Sequence, residues 1–296
     1  MSAPSRATQD GRAYLDLRKK AREDRRPVDE LLQLYVLEGY LTRLVASPRA
    51  DQFVLKGGIL LAAFGERRPT RDVDLQAQDL DNDAEEVHSA ICDIARVELN
   101  DGIIFDVDAA IAEVIRDEDA YGGVRVSMTA QLATARTHFH VDVSVGDPIS
   151  PPPIEMHVPR LLGGKVIVRG YPLAMVHAEK VVTAISRGTV STRWRDFADV
   201  YLLSCHHPID GDELVVSVRD VADHRQVKLT PLARVLDGYG DIGQQRWAAW
   251  RRKQRLDDRL PESFDEVVRA VVAFADPAID GTAASRLWSP AHGAWE

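Results

Sequence analysis

The residues with most chemical potential lie in LKGGILLAAFGERRPTRDVDLQ, Leu55 to Gln76. Gly57-Gly58 stands between a strand-like run and a short small-residue helix. Glycine there lets the backbone approach a phosphate closely, and a following helix N-terminus favours an anion. Thirteen residues separate Gly58 from Asp72, and Asp74 follows at the next but one position. Alternate residues of a strand share a face, so the two carboxylates converge. Paired hard oxygen ligands suit Mg²⁺ (or Mn²⁺) beside substrate phosphates. Two such ions, about 3.5–4 Å apart, would clamp the attacking and leaving oxygens of a phosphoryl displacement. A glycine pair alone is usually a turn, and an aspartate pair alone a solvated strand end. Their combination as strand, glycine pair, helix and strand predicts a nucleotide site.

A third acid is expected at Asp142, mid-strand in HFHVDVSVG, where a carboxylate without a partner is costly. Alternation puts His138, His140, Asp142 and Ser144 on one face. Two other readings stay open: a polar sheet face in solvent, and an H-x-H-x-D transition-metal site. Asp106-Val107-Asp108 repeats the acid pattern without a glycine pair and reads as a polar strand face. Gly164-Lys165 lacks the Ser/Thr and the upstream glycine of a phosphate loop.

Further along, a helix over Leu173–Arg187 carries His177, Lys180, Ala184 and Arg187 on one stripe, with Met175, Ala178, Val181, Val182 and Ile185 on its apolar side. By periodicity alone the polar stripe reads as a solvated face. The next helix carries Trp194, Phe197, Ala198, Tyr201, Leu202 and Cys205 as its buried stripe, with Asp196 and Asp199 opposite.

These groups need a frame, and the pattern supplies one. Strands are expected at Gln52–Leu55, Asp72–Gln76, Ile103–Val114, Val124–Leu132, His138–Val145 and Lys165–Arg169, with the Pro148–Pro153 cluster closing the main sheet. Helices are expected from Val28, with Asp29 as N-cap, to Val45 and over Ala84–Val97. After residue 171 the helical period continues at Trp194–Cys205, Gly211–Val221, Gln244–Arg255 and Glu262–Ala275. The expected organisation is α+β: a basic helical arm at 1–26, an α/β domain at 27–170 with a mixed sheet flanked by helices, and a mostly helical domain at 171–296 that completes the active-site cleft.

The chain has 296 residues, 45 % hydrophobic and 28 % charged, which is globular composition. A net charge of −9 argues against a general nucleic-acid coat and leaves a local basic groove open. Cys92 and Cys205 make neither a disulfide framework nor a zinc knuckle. The polar amino terminus and the absence of a long apolar run predict no secretory signal, no membrane span and a cytoplasmic location.

Taken together, GGILLAAFGERRPTRDVDL, VDVSVGD and HAEKVVTAISRGTVSTRWRDFADVYLL resemble the AbiEii/AbiGii family, across roughly Leu55 to Leu203. These are nucleotidyltransferase toxins of bacterial abortive-infection and type IV toxin–antitoxin systems. The family pattern of A-E-K, a basic residue about seven positions on, then R-x-K-D-x-x-D-L, is met by Ala178-Glu179-Lys180, Arg187 and Arg193 to Val200. Arg195 stands for the usual lysine and Val200 for the usual leucine. Ile59 stands where the family has Ser or Thr after the glycine pair, so a hydroxyl contact to phosphate is missing.

The resemblance implies a nucleotidyltransferase-type sheet with Asp72 and Asp74 holding the metals and Asp142 as third acid. Gly57, Gly58, Lys180, Arg187 and Arg195 would meet the nucleotide. Lys180 would neutralise the triphosphate, and Asp196 would either orient Lys180 or help deprotonate the attacking hydroxyl. Thr70 is a candidate regulatory phosphorylation site, where added negative charge would repel substrate. The implied reaction moves an NMP from an NTP to an RNA 3′ end, the tRNA acceptor above all, blocking translation; an antitoxin from a neighbouring gene is the implied partner. NMP transfer to a protein or small-molecule hydroxyl, or a catalytically weak binding module, are the alternatives.

RWAAWRRKQRLDDR offers a place for RNA: Arg246, Arg251, Arg252, Lys253 and Arg255 could neutralise phosphates while Trp247 and Trp250 stack on bases. The same spacing equally fits two core tryptophans with solvated arginines.

Overall fold

The computed structural model describes residues 3–78, 80, 83–116 and 122–296. Its contacts define two compact units: Met1–Gly146 with Ile154–Gly170, and Asp147–Pro153 with Tyr171–Glu296.

The first unit contains α1 (Gln9–Glu23), α2 (Val28–Ala46), β1 (Phe53–Lys56), α3 (Gly57–Leu60), β2 (Asp72–Ala77), α4 (Ala84–Ala95), β3 (Ile103–Arg116), β4 (Gly122–Leu132), β5 (Ala135–Val145), β6 (Ile154–Pro159) and β7 (Lys165–Gly170). The strands form one seven-stranded mixed sheet, ordered β3-β4-β5-β2-β1-β7-β6. β2 runs parallel to β5 and antiparallel to β1, while β1 runs parallel to β7. Period-two alternation sends Val73, Leu75, Val141 and Val143 into the core, all at most 1 % exposed. α2 and α4 pack in this unit against each other and against the strands.

A buried ion pair ties α2 to the sheet. Arg43 Nη1 donates to Asp101 Oδ2 at 2.6 Å and Nη2 to the Ile103 carbonyl at 3.2 Å. Its guanidinium lies 4.7 Å from the Phe105 ring centroid. Hydrogen bonds to backbone and carboxylate meet both Nη groups of this buried charge, while its Nε has no hydrogen-bond partner among the described residues.

Some elements differ from expectation. α2 begins after Pro27, with no side-chain cap; Asp29 lies in its first turn, where a negative charge suits the helix dipole. α1 packs on α2 through Ala13, Leu17 and Ala21. Its basic residues face out, with Lys20 paired to Asp24 at 3.1 Å. β6 lies beyond the proline cluster that was expected to end the main sheet; it buries Met156 and Val158 and ends at Pro159. A strand containing proline is tolerated there because β6 is an edge strand.

The second unit contains α5 (Leu173–Arg187), α6 (Trp194–His206), β8 (Ile209–Asp210), α7 (Gly211–His224), α8 (Leu232–Val235), α9 (Tyr239–Gln254), α10 (Phe264–Asp280), β9 (Leu287–Ser289) and β10 (Ala294–Trp295). The short strands form a small sheet, ordered β10-β9-β8, which the helical pattern did not announce. Asp210 caps α7 through the Glu213 N–H, and Ser263 caps α10 through the Glu266 N–H. Aromatic contacts link Trp194, Phe197, Tyr239, Trp247 and Phe264 in its core. Among the described residues no helix is long and apolar enough to cross a membrane.

Candidate functional site

In the first unit, β1 ends at Lys56 and the chain turns sharply through Gly57, whose φ is +68°. A Cβ added to Gly57 would lie 1.8 Å from Asp74 Oδ2, and one added to Gly58 would lie 2.7 Å from Thr70 Oγ1. Both glycines are thus needed by the carboxylate and the threonine that crowd them. The Gly58 N–H donates to Asp74 Oδ2 at 3.3 Å. In this structure the turn holds the second acid, a use of the glycine pair that its spacing did not reveal. Ile59, which follows, is 6 % exposed and belongs to the core.

Register aligns four charged residues. Arg125 on β4 lies opposite Asp142 on β5, Asp142 opposite Asp74 on β2, and Asp74 opposite Lys56 on β1. Asp72, half-buried like Asp74, sits one alternation along β2, opposite His140. Ser127 Oγ lies 3.0 Å from His140 Nδ1, and Thr129 Oγ1 lies 2.8 Å from His138 Nδ1. The histidines therefore sit on a polar sheet face with hydroxyl partners. The strand pairing brings Asp72 and Asp74 on β2 and Asp142 on β5 onto neighbouring strands.

Their fit to a metal is uneven. Asp72 and Asp74 share a face and suit one Mg²⁺ that takes one or two carboxylates plus phosphate oxygens. Asp142 differs: Arg125 Nε donates to its Oδ1 at 2.7 Å and Arg125 Nη2 to its Oδ2 at 2.6 Å. Among the described residues no group of three His, Cys, Asp or Glu side chains could hold a metal ion. Arg125 went unnoticed in the sequence. Its only signal there is the alternation Arg125, Ser127, Thr129, Gln131, and nothing local reveals that it faces Asp142.

The second unit holds a separate charged cluster. Lys180 on α5 donates to Asp199 Oδ2 at 2.8 Å and to Asp196 Oδ1 at 3.4 Å, and Arg193 Nε donates to Asp196 Oδ2 at 2.5 Å. The side chains of Asp196 and Asp199 are 5 % and 2 % exposed, so α6 is buried on the face expected to be polar. Burial by itself raises the pKa of Asp196. Lys180, Arg193 and Arg195 outweigh it, with a hydrogen bond from Arg193, and the group falls to about 2. Arg187 is half-buried at the end of α5, and Arg195 is exposed on α6.

α5 is buried on most of its circumference, against the expected solvated stripe. His177 is fully buried, with its ring 4.6 Å from that of Phe274 and neither nitrogen hydrogen-bonded among the described residues. Desolvation, with smaller contributions from Lys180 and His207, lowers its pKa to about 3. Cys205, expected in the buried stripe of α6, is exposed.

Trp247 is fully buried, stacked on Trp250 and Phe264, and its indole N–H donates to the Pro261 carbonyl at 3.1 Å. It is a core residue, closed to a base. Arg251 is drawn inward to the Leu260 carbonyl at 2.8 Å. Arg246, Arg252, Lys253 and Arg255 remain exposed on and just after α9.

In the first unit a mixed sheet with flanking helices carries an acid pair whose second member, Asp74, is seated by a glycine turn. The chain belongs to the AbiEii family, the nucleotidyl transferase AbiEii toxins of type IV toxin–antitoxin systems, whose model matches residues 39–270. No curated protein matches it. Two solved structures are similar. One, from Helicobacter pylori, is presented as a candidate nucleotidyltransferase: 15 % identity, TM-score 0.48, 85 % of this chain and 95 % of that one. The other is JHP933 from Helicobacter pylori: 15 % identity, TM-score 0.46, 85 % of this chain and 92 % of that one.

Proposed function

We propose that this toxin transfers a nucleoside monophosphate from an NTP to an RNA 3′ end, the tRNA acceptor above all, and so blocks translation in the cytoplasm. The observation that carries the reading is the seat of Asp74: a glycine turn that leaves room for its carboxylate, beside Asp72 on the same strand face. Asp72 and Asp74 would hold Mg²⁺, which when bound supplies charge neutralisation for the triphosphate. The acceptor hydroxyl oxygen forms a bond to the α-phosphorus, the bond to the bridging oxygen breaks, pyrophosphate leaves and the hydroxyl proton passes to solvent.

Lys180, paired with two carboxylates, is assigned to offset negative charge on the leaving pyrophosphate. Asp196, with its pKa near 2 and its oxygens on Lys180 and Arg193, is a poor proton acceptor. Its role is to orient Lys180. Arg187 and Arg195 are assigned to further phosphate contacts. Arg246, Arg252, Lys253 and Arg255 are assigned to the RNA backbone; a cognate antitoxin, encoded nearby, is the protein partner. Thr70, against Gly58, is assigned as a site where phosphorylation would switch the toxin off; mass spectrometry finding it unmodified with and without antitoxin would remove that assignment.

The test is a transfer assay with total tRNA, Mg²⁺ and each α-labelled NTP in turn, with Asp72→Ala in parallel. Label on tRNA that disappears in the variant supports the reading. Label on a protein or small molecule instead would redirect it to another acceptor, and no transfer at all would leave a binding module.

A further inference from the structure

We propose that Asp142 serves as the positioning partner of Arg125 instead of ligating metal, and that Arg125 presents its guanidinium to a phosphate of the substrate. This rests on the nucleotidyltransferase reading above and assigns a residue that neither motif nor spacing had marked.

The geometry is a two-point fork. Arg125 uses Nε and Nη2 on the two oxygens of Asp142, at 2.7 and 2.6 Å. Bidentate arginine–carboxylate pairing is directional and among the stronger side-chain contacts. It is also imposed by the backbone, because the two residues are register partners on adjacent strands. A metal at Asp142 would have to share the carboxylate with an arginine that the sheet itself places there.

Ligand count leads the same way. With Asp142 taken by Arg125, Asp72 and Asp74 remain as two carboxylates on one face of β2, the number that one Mg²⁺ takes beside phosphate oxygens, and Lys56 stands opposite Asp74. Register also places Arg125 in the same cross-strand row as Asp142 and Asp74, so the arginine belongs to the acid site.

Arg125 also keeps donors in reserve. Its Nη1 has no hydrogen-bond partner among the described residues, and its side chain is 35 % exposed against 17 % for Asp142. A planar guanidinium oriented on one edge, with its remaining N–H groups open, matches phosphate oxygens better than a flexible ammonium does. The carboxylate below acts as the orienting group, in the way that outer partners align the residues touching a ligand.

The experiment uses the full chain, with Mn²⁺ binding followed by electron paramagnetic resonance and inorganic tripolyphosphate binding by calorimetry. The neutral pair Asp142→Asn with Arg125→Gln removes both charges together, so no buried charge is stranded. We expect that double variant to bind Mn²⁺ within about threefold of the parent, while Asp72→Asn loses about tenfold or more. Arg125→Gln and Asp142→Asn should each weaken tripolyphosphate about tenfold, with the double variant no worse than the weaker-binding single one. A tenfold loss of Mn²⁺ in the double variant would make Asp142 a ligand and overturn the inference while the enzymatic reading stands. Unchanged tripolyphosphate affinity in Arg125→Gln would also overturn it. Unchanged Mn²⁺ binding in Asp72→Asn would sink the metal reading itself, and this inference with it.

Discussion

Gly57 and Asp74 occupy contiguous space: a Cβ on the glycine would stand 1.8 Å from the aspartate Oδ2. The turn therefore serves the acid. Its positive φ opens the end of β1, and the next N–H reaches the carboxylate that the missing side chain admits.

Gly57→Ala should be costly twice over. The left-handed backbone disfavours alanine by about 1–2 kcal/mol. The displaced Asp74 should reduce transfer about a hundredfold. Gly58→Ala, which meets the end of the Thr70 side chain at a normal φ, should cost less in both. Denaturant unfolding together with the tRNA transfer assay measures the two effects.

His177 should make stability fall with acidity. Its pKa drops from 6.5 to about 3 on burial, so below 6.5 the unfolded chain takes up a proton that the folded chain refuses. The penalty begins as pH falls through the unfolded value and stops growing near the folded one. Between roughly pH 7 and pH 5 it amounts to about 2 kcal/mol. His177→Leu should remove this slope, as read from urea unfolding at a series of pH values.

Lys180→Met should destabilise the second unit by about 3–5 kcal/mol, since it strips a cation from two buried carboxylates. Adding Asp199→Asn should recover part of that stability. If Lys180 acts on the triphosphate, transfer stays lost in the recovered variant. Return of transfer along with stability would reduce the lysine to a structural role.

Trp247→Ala should cost about 3–5 kcal/mol by emptying the aromatic core. Arg252→Ala with Lys253→Ala should leave stability within about 0.5 kcal/mol. The same pair should weaken tRNA binding and flatten its dependence on salt if this face meets the RNA backbone. Melting curves and filter binding at several salt concentrations separate the two outcomes.

The elements were largely legible because each carries its own period. α5 runs over Leu173–Arg187 as its pattern requires, and β2 holds Asp72 and Asp74 on one face. Sequence failed where the deciding partner lay far along the chain. His177 looked like part of a solvated stripe, yet it packs on Phe274. Trp247 fitted base and core alike until Phe264 and the Pro261 carbonyl enclosed it. β6 was hidden by the proline cluster before it, because proline marks a break and cannot announce an edge strand that follows.

By itself the sequence determined which groups could do chemistry: a glycine pair, alternating acids, and a lysine with an aspartate pair on successive helices. Side-chain type and local period are properties of neighbours in the chain, so they survive without a fold. Tertiary structure alone decided what each group is paired with. Strand register set Arg125 against Asp142 and Asp74 beside the glycine turn, and helix packing buried Asp196 and Asp199 around Lys180. Those pairings join residues 16 to 19 positions apart, as with Gly58–Asp74, Lys180–Asp196, Arg125–Asp142 and Lys180–Asp199. Such separations are set by how strands and helices come together, and no local pattern encodes them.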